Sequence, residues 1–244
     1  MRLLVTRPAA DADKLARRLR ALGHKVHCAP LIKINLFTHV DWPKAKPASF
    51  AITSANGVRA LINLRQAFDA RYQKKLHDIP VFAVGQTTAL AAKRAGWRQI
   101  TAAAGSVPAL TQTIKDAYWD LPANQAMSEG ATVWHISGDV MAGNLVAALT
   151  QLDIPARRLS LYEAEARTEL PARIIKNYST YDGVLIYSKR SADIFTTATR
   201  GLTHKPMVYC LSEPIAVALR ALGYETHTAS DATDRAMAAL IGAA

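Results

Sequence analysis

Cysteine is scarce in this chain of 244 residues: Cys28 and Cys210 stand alone, each inside an apolar run. That scarcity excludes a disulfide scaffold and CxxC redox chemistry, and both thiols read as buried filler. Long apolar runs are missing too. AMAALIGAA near the C-terminus falls well short of the ~20 residues that span a bilayer, so no membrane association is expected. The opening MRLLVTRPAADADKL has a four-residue apolar run, too short for a signal-peptide core, and a cytoplasmic protein is expected. No segment carries the biased composition of disorder, collagen or coiled coil. The motifs GxxxxGK[ST], GxGxxG after a strand, GxSxG and HExxH are all absent, so no nucleotide cofactor is implied. His24, His27 and Cys28 in GHKVHC would lie on a strand that sends the two histidines to opposite faces, and no metal is expected.

Acidic residues are few: 19 Asp and Glu face 30 Lys and Arg, a formal charge of +11. Such a balance favours anionic partners. The basic residues are spread over several helical runs without interleaved aromatics or a recognisable nucleic-acid motif, so nucleic acid is not the expected partner.

A strand-like run followed by helical periodicity recurs six times: RLLV then DADKLARRLRAL, FAIT then NGVRALINL, VFAV then TTALAAKRA, TVWHI then GNLVAALTQL, GVLIY then RSADIFTTA, VYCL then PIAVALRAL. In the first helical run Leu15, Leu19 and Leu22 are expected to make one buried stripe, and Lys14, Arg17, Arg18 and Arg20 to face outward. Gly23, Gly96 and Gly223 follow helical runs as stop signals. Continuous apolar strands alternating with helices predict parallel sheets covered on both faces.

The sequence also repeats itself. VFAVGQTTALAAKRAGW begins at Val81 and VYCLSEPIAVALRALGY at Val208, 127 positions later, and Gly96 and Gly223 keep the same separation. Looser matches link LLVTRPAADADKLARRLRALGHKV with WHISGDVMAGNLVAALTQLDIPA, and AITSANGVRAL with LIYSKRSADIF. Duplication of a doubly wound α/β unit of ordinary domain size is the simplest account. CAPLIKINLFT (28–38) and RLSLYEAEAR (158–167) break the rhythm with the alternation of half-exposed strands, and read as linkers at equivalent places in the two repeats.

In an open parallel sheet ligands bind beyond the carboxyl ends of the strands. The corners there read Thr6-Arg7, Thr53-Ser54-Ala55-Asn56, Gly85-Gln86-Thr87-Thr88, Ser137-Gly138-Asp139, Ser188-Lys189-Arg190 and Ser212-Glu213. Small hydroxyl or glycine residues let helix-start amides approach a ligand, where the helix dipole favours an anion. Each Ser or Thr taken singly is an ordinary N-cap; their clustering, with Arg7, Lys189 and Arg190 at strand tips, points to a ligand bearing several carboxylates or phosphates. In WHISGD, His135, Ser137 and Asp139 alternate along a strand without forming a triad, and His135 reads as a core or second-layer histidine.

These corners give the chain a family resemblance. LVTRP (4–8), ITSANGV (52–58), FAVGQTTA (82–89), LYEA (161–164) and SEPIAVALRALGY (212–224) resemble the uroporphyrinogen-III synthase family nearly end to end. The resemblance implies two similar doubly wound α/β domains joined by a two-stranded β-ladder: residues 1–33 with 165–244, an inserted domain over 38–160, and linker strands at 34–37 and 161–164. It implies a monomeric, cofactor-independent lyase that closes hydroxymethylbilane, a linear tetrapyrrole with eight carboxylates, held between domains largely by backbone amides. Tyr162 matches the family's linker tyrosine and is the expected proton donor, with packing on the ladder as its alternative. Arg7, Thr53, Ser54, Ala55, Asn56, Gly85, Gln86, Thr88, Ser137, Gly138, Asp139, Ser188, Lys189, Arg190 and Ser212 are the expected substrate contacts. SGDVMAGN lacks the arginines that many relatives carry beside this glycine, and Glu213-Pro214-Ile215 replaces a proline and two threonines. Those departures motivate an alternative, a non-catalytic two-domain module that binds a tetrapyrrole or another polyanion.

Overall fold

A computed structural model describes residues 1–43, 47–64, 76–121, 132–141 and 143–242. In chain order the first elements are β1 (Arg2–Val5), α1 (Ala9–Ala21), β2 (Lys25–Cys28), β3 (Ile32–Leu36), β4 (Pro47–Ile52), α2 (Ala55–Asn63), β5 (Val81–Ala83), α3 (Gln86–Arg94), β6 (Ile100–Ala102) and α4 (Val107–Ala117). They continue with β7 (Thr132–Gly138), α5 (Leu145–Thr150), β8 (Ala156–Ala166), α6 (Ala172–Lys176), β9 (Gly183–Ile186), α7 (Lys189–Ala198), β10 (Met207–Cys210), α8 (Glu213–Arg220), β11 (Thr226–Thr228) and α9 (Asp234–Gly242). The chain divides into two compact units, Met1–Lys33 with Glu165–Ala244, and Ile34–Ala164.

The first unit is a sheet in the order β11-β10-β9-β1-β2, its neighbouring strands paired in parallel. Its inner strands β1, β9 and β10 are mostly apolar because both faces are covered, while the edge strands β2 and β11 are more polar and more exposed. Leu3, Val5, Leu185 and Tyr209 pack on one face with Leu15, Leu19 and Met237 from α1 and α9, whereas Leu22, expected in the same buried stripe, lies just past the end of α1 and is exposed. Leu4, Val184, Ile186 and Val208 point the other way, onto Ile174, Phe195, Ile215 and Leu219 from α6, α7 and α8. Successive residues of one strand thus serve two cores, as the period of two requires.

The second unit repeats this plan. Its sheet runs β3-β8-β7-β4-β5-β6, and the order from β6 to β8 matches that from β11 to β2. Phe50, Ile52, Trp134 and Ile136 meet Val58 and Leu61 of α2 on one face. Ala51, Phe82 and Val133 meet Leu110, Ile114, Leu145 and Leu149 of α4 and α5 on the other. The repeated paragraph of sequence becomes β5-α3 in this unit and β10-α8 in the first. Gly96 at φ +101° and Gly223 at φ +79° turn the chain after each helix through the left-handed region that other residues enter at a cost.

The two segments that read as linkers form a ladder, and one of them does more. Phe37 N–H donates to Leu161 C=O at 3.0 Å and Arg167 N–H to Leu31 C=O at 2.8 Å, so β3 and β8 run antiparallel. Ala156–Tyr162 also pairs in parallel with β7, so the first part of β8 belongs to the parallel sheet while β3 lies along its second part. Its alternating pattern arises because Leu159 and Leu161 enter the core while Arg158 before them and Ser160 between them are only partly buried. Among the described residues no helix is long and apolar enough to cross a membrane.

Candidate functional site

In each unit the strand order reverses direction at one place, between β4 and β7 in the second unit and between β9 and β1 in the first. At such a switch point the two following connections leave toward opposite faces of the sheet and open a crevice for a ligand.

The second unit has a cavity of about 150 Å³ at this point, bordered by Thr53, Ser54, His135, Gly138 and Tyr162 together with Val107, Val140, Met141 and Gly143. Drug-sized ligands need roughly 300–1,000 Å³, so this space admits one part of a large ligand. A larger depression of about 340 Å³ lies between α4 and α5 along residues such as Val107, Thr111, Ala148 and Gln151, none of them titratable. The smaller one, with a histidine and a tyrosine in its wall, is the candidate site.

Each wall of the smaller cavity has a local cause. Ser54 is the N-cap of α2, in extended conformation, and its Oγ accepts from Asn56 N–H at 3.1 Å. His135 lies on β7, 1 % exposed, with Nε2 3.3 Å from Oγ1 of Thr53. Burial, and secondarily the Arg158 guanidinium, lower its pKa to about 4. The imidazole is therefore neutral at neutral pH.

Tyr162 reaches the cavity through an irregularity in β8. Ser137 pairs with Ser160 but Gly138 pairs with Tyr162, so Leu161 is an extra residue on that strand and the tyrosine is set opposite the glycine. The ring lies close against Gly138: a Cβ there would come within 2.5 Å of Cε2 of Tyr162. No other residue type leaves room for the ring. Burial raises the phenol pKa, Asp139 adds to it, and hydrogen bonds to the Ser54 side chain and the Gly138 backbone partly offset the rise. The group stays protonated at neutral pH, a donor at the rim of the cavity.

Arg158, opposite His135 on β8, clamps the corner. Its Nε donates to Ser137 Oγ at 2.9 Å, and its Nη2 to the carbonyls of Gly138 and Asp139, both at 2.6 Å. Asp139 closes the clamp by accepting from Ala164 N–H at 2.8 Å. Ser137 and Asp139, both expected as substrate contacts, thus spend their side chains on the corner itself. Elsewhere on this rim Asn56 accepts from Arg59, and Thr88 is buried in the first turn of α3. Gly85 is an N-cap without a side-chain bond, and Gln86 is exposed beside it.

The rim of the first unit differs in character. Arg7 at the tip of β1 is ion-paired with Asp234, lies 3.8 Å from Asp11, and stands over the Tyr187 ring at 4.5 Å. Its charge is balanced within the unit. Ser188 caps α7, accepting from Ser191 N–H at 3.1 Å. Lys189 is exposed, with only a 3.4 Å contact to Asp193, an arrangement worth little in water. Ser212 begins α8 without a side-chain capping bond. Glu213 is held below its usual range by hydrogen bonds from Arg220 and Thr228.

Among the expected contacts, then, the structure brings Thr53, Ser54, Gly138 and Tyr162 to one cavity. Ala55 and Asn56 follow Ser54, Ser137 and Asp139 flank Gly138 in its corner, and the remaining residues border other corners. His135 is a core residue by burial, as its sequence suggests, and a cavity residue by position. Arg158 was not singled out by the sequence: a cation on a half-exposed strand carries no signal until the pairing partner is known. Burial pushes the Cys210 thiol up to about 12 and raises that of Cys28, which is half-buried and not buried as expected. No group of three His, Cys, Asp or Glu among the described residues is arranged to hold a metal.

Comparisons with known proteins complete the picture. The fold is similar to a uroporphyrinogen-III synthetase from Helicobacter pylori 26695, at a TM-score of 0.66 and 15 % identity over 99 % of this chain and 98 % of that one. It is also similar to a mutant uroporphyrinogen III synthase from the extremely thermophilic bacterium Thermus thermophilus, at a TM-score of 0.58 and 16 % identity over 100 % and 96 % of the two chains. No curated protein sequence matches. The family model described as Uroporphyrinogen-III synthase HemD matches residues 13–239, and the chain belongs to that family.

Proposed function

We propose that this chain is a uroporphyrinogen-III synthase, a cofactor-independent lyase. It would take hydroxymethylbilane, break the C–O bond of the terminal hydroxymethyl group with release of water, and close the ring with the terminal pyrrole inverted. The observation that carries this reading is Tyr162, set against Gly138 at the rim of a cavity that Thr53 and Ser54 line.

The electron-rich pyrrole pushes out the hydroxyl group, and Tyr162 supplies the proton with which it leaves as water. The resulting azafulvene is attacked by the substituted carbon of the terminal ring, giving a spiro intermediate. That intermediate fragments at the other bond to the spiro carbon and recloses with the ring turned over. Loss of the last ring proton, returned to the tyrosinate, restores the phenol. Spontaneous closure gives the symmetric isomer, so the contribution of the protein is to hold the chain where the substituted carbon is the one that meets the azafulvene. Thr53 and Ser54, with Ala55 and Asn56 behind them, would take substrate carboxylates in the second unit. Ser188, Lys189, Arg190 and Ser212 would do so in the first, and Gly85, Gln86 and Thr88 at the β5 corner. Arg7, Ser137, Gly138 and Asp139 would act by shaping the corners.

Incubation with hydroxymethylbilane followed by separation of the oxidised uroporphyrin isomers tests the reading: the type III isomer is expected. A second reading, a module that binds the tetrapyrrole without turning it over, is favoured by the absence of arginine from the loop that follows Gly138. Type I isomer alone, at the spontaneous rate, would establish that reading instead.

A further inference from the structure

The buried histidine of the cavity has one nitrogen engaged and one with nothing to bond. Nε2 of His135 is 3.3 Å from Oγ1 of Thr53, while Nδ1 has no hydrogen-bond partner among the described residues. A neutral imidazole carries its proton on one nitrogen only. On Nδ1 that proton would be a buried N–H without an acceptor, the rarer and costlier orphan. On Nε2 it is donated to Thr53, and only a lone pair goes unused.

The consequence falls on Thr53. Its oxygen accepts from His135, and its own proton is left to turn toward the cavity, with no second side-chain bond among the described residues to hold it back. We infer that His135 is a positioning residue, which fixes the Thr53 hydroxyl as a donor aimed at an anionic group of the ligand. The inference deepens the function proposed above and rests on it for the identity of that group as a substrate carboxylate. The low basicity of His135, owed to burial and then to Arg158, supports it, since an imidazolium would need an acceptor on both nitrogens.

Long-range 1H–15N correlation spectra of the ligand-free protein read the tautomer directly. The Nε2–H form, neutral at pH 7, is expected for His135; the Nδ1–H form or an imidazolium would overturn the inference. In turnover, Thr53→Val and His135→Leu should each raise KM for hydroxymethylbilane about tenfold, the scale of one hydrogen bond. The double variant should be no worse than Thr53→Val alone, because His135 acts through Thr53. Thr53→Ser and His135→Gln, which keep the hydroxyl and an amide donor, should hold KM near that of the parent. Losses that multiply in the double variant would overturn the coupling. The spectra require neither a variant nor turnover, so a protein yielding only type I isomer would refute the lyase reading while the tautomer still decides this one.

Discussion

Tyr162 is a packing residue that the proposed reaction also uses as its proton donor. Its ring is buried in the second unit's core, yet the hydroxyl ends at the cavity because Gly138 offers no side chain to push it away. Tyr162→Phe keeps the ring and removes the proton. We expect turnover to fall about a hundredfold, the low end for a positioned general acid, since the pyrrole already favours loss of the hydroxyl. Thermal unfolding should be nearly unchanged, and isomer-resolved kinetics beside a melting curve would separate the two effects. Unaltered turnover would remove the phenol from the chemistry. His135 gives a second prediction at this scale. Its native pKa of about 4 lies below the 6.5 of an unperturbed imidazole. Between those values the unfolded chain binds a proton that the native protein refuses, so stability falls as pH drops from 6.5 to about 4 and levels off below. The loss is about 3 kcal/mol at most. His27, lowered chiefly by burial, acts with the same sign, so the comparison to make is urea unfolding of the parent against His135→Gln, whose pH slope should be shallower. At this scale the sequence pointed to Thr53, Ser54, Gly138 and Tyr162 through their corners and their family likeness. It could not point to Arg158, whose role depends on standing opposite His135 in the sheet.

At the scale of elements, the helices are where the sequence speaks most plainly. Ser54, Ser106 and Ser188 cap α2, α4 and α7 with side-chain bonds to the first-turn amides, as a hydroxyl before an amphipathic run predicts. A cap at the cavity has a second duty that a cap elsewhere lacks. Ser54→Ala should cost about 1 kcal/mol of stability and also slow turnover, because Tyr162 loses a hydrogen-bond partner. Thr233→Ala removes the cap of α9, whose hydroxyl accepts from Ala236 N–H at 3.1 Å. It should cost a similar amount in denaturant titration and leave turnover intact. Equal kinetic losses in both would mean that Ser54 matters only through its helix. The strands are less legible. An alternating run such as ARRLSLYEAEA says that one face is buried, but not that its first half joins a parallel sheet while its second half pairs antiparallel with β3. Nor does it announce the extra residue at Leu161. A shift of one position reverses which side chains face the core, and the cost of that shift is settled by the pairing strand, not by the strand itself.

For the molecule as a whole, a charge of +11 meets a proposed substrate with eight carboxylates. Part of that attraction is long-range and therefore screened. Raising salt from about 0.05 M to about 0.5 M shortens the Debye length from about 14 Å to about 4 Å. KM for hydroxymethylbilane should then rise several-fold with kcat little changed; a KM indifferent to salt would confine recognition to short-range hydrogen bonds. The sequence by itself determined that this is a twofold repeat of strand and helix with apolar strands, because burial on both faces and the period of a helix are written in local patterns. It also marked which corners carry hydroxyl groups and glycine. Only the tertiary structure decided which corners share a cavity and which cations are already paired. Arg7 against Asp234, and His135 between Thr53 and Arg158, are contacts across strands and helices distant in sequence, and only the order of strands in the sheet brings them within reach.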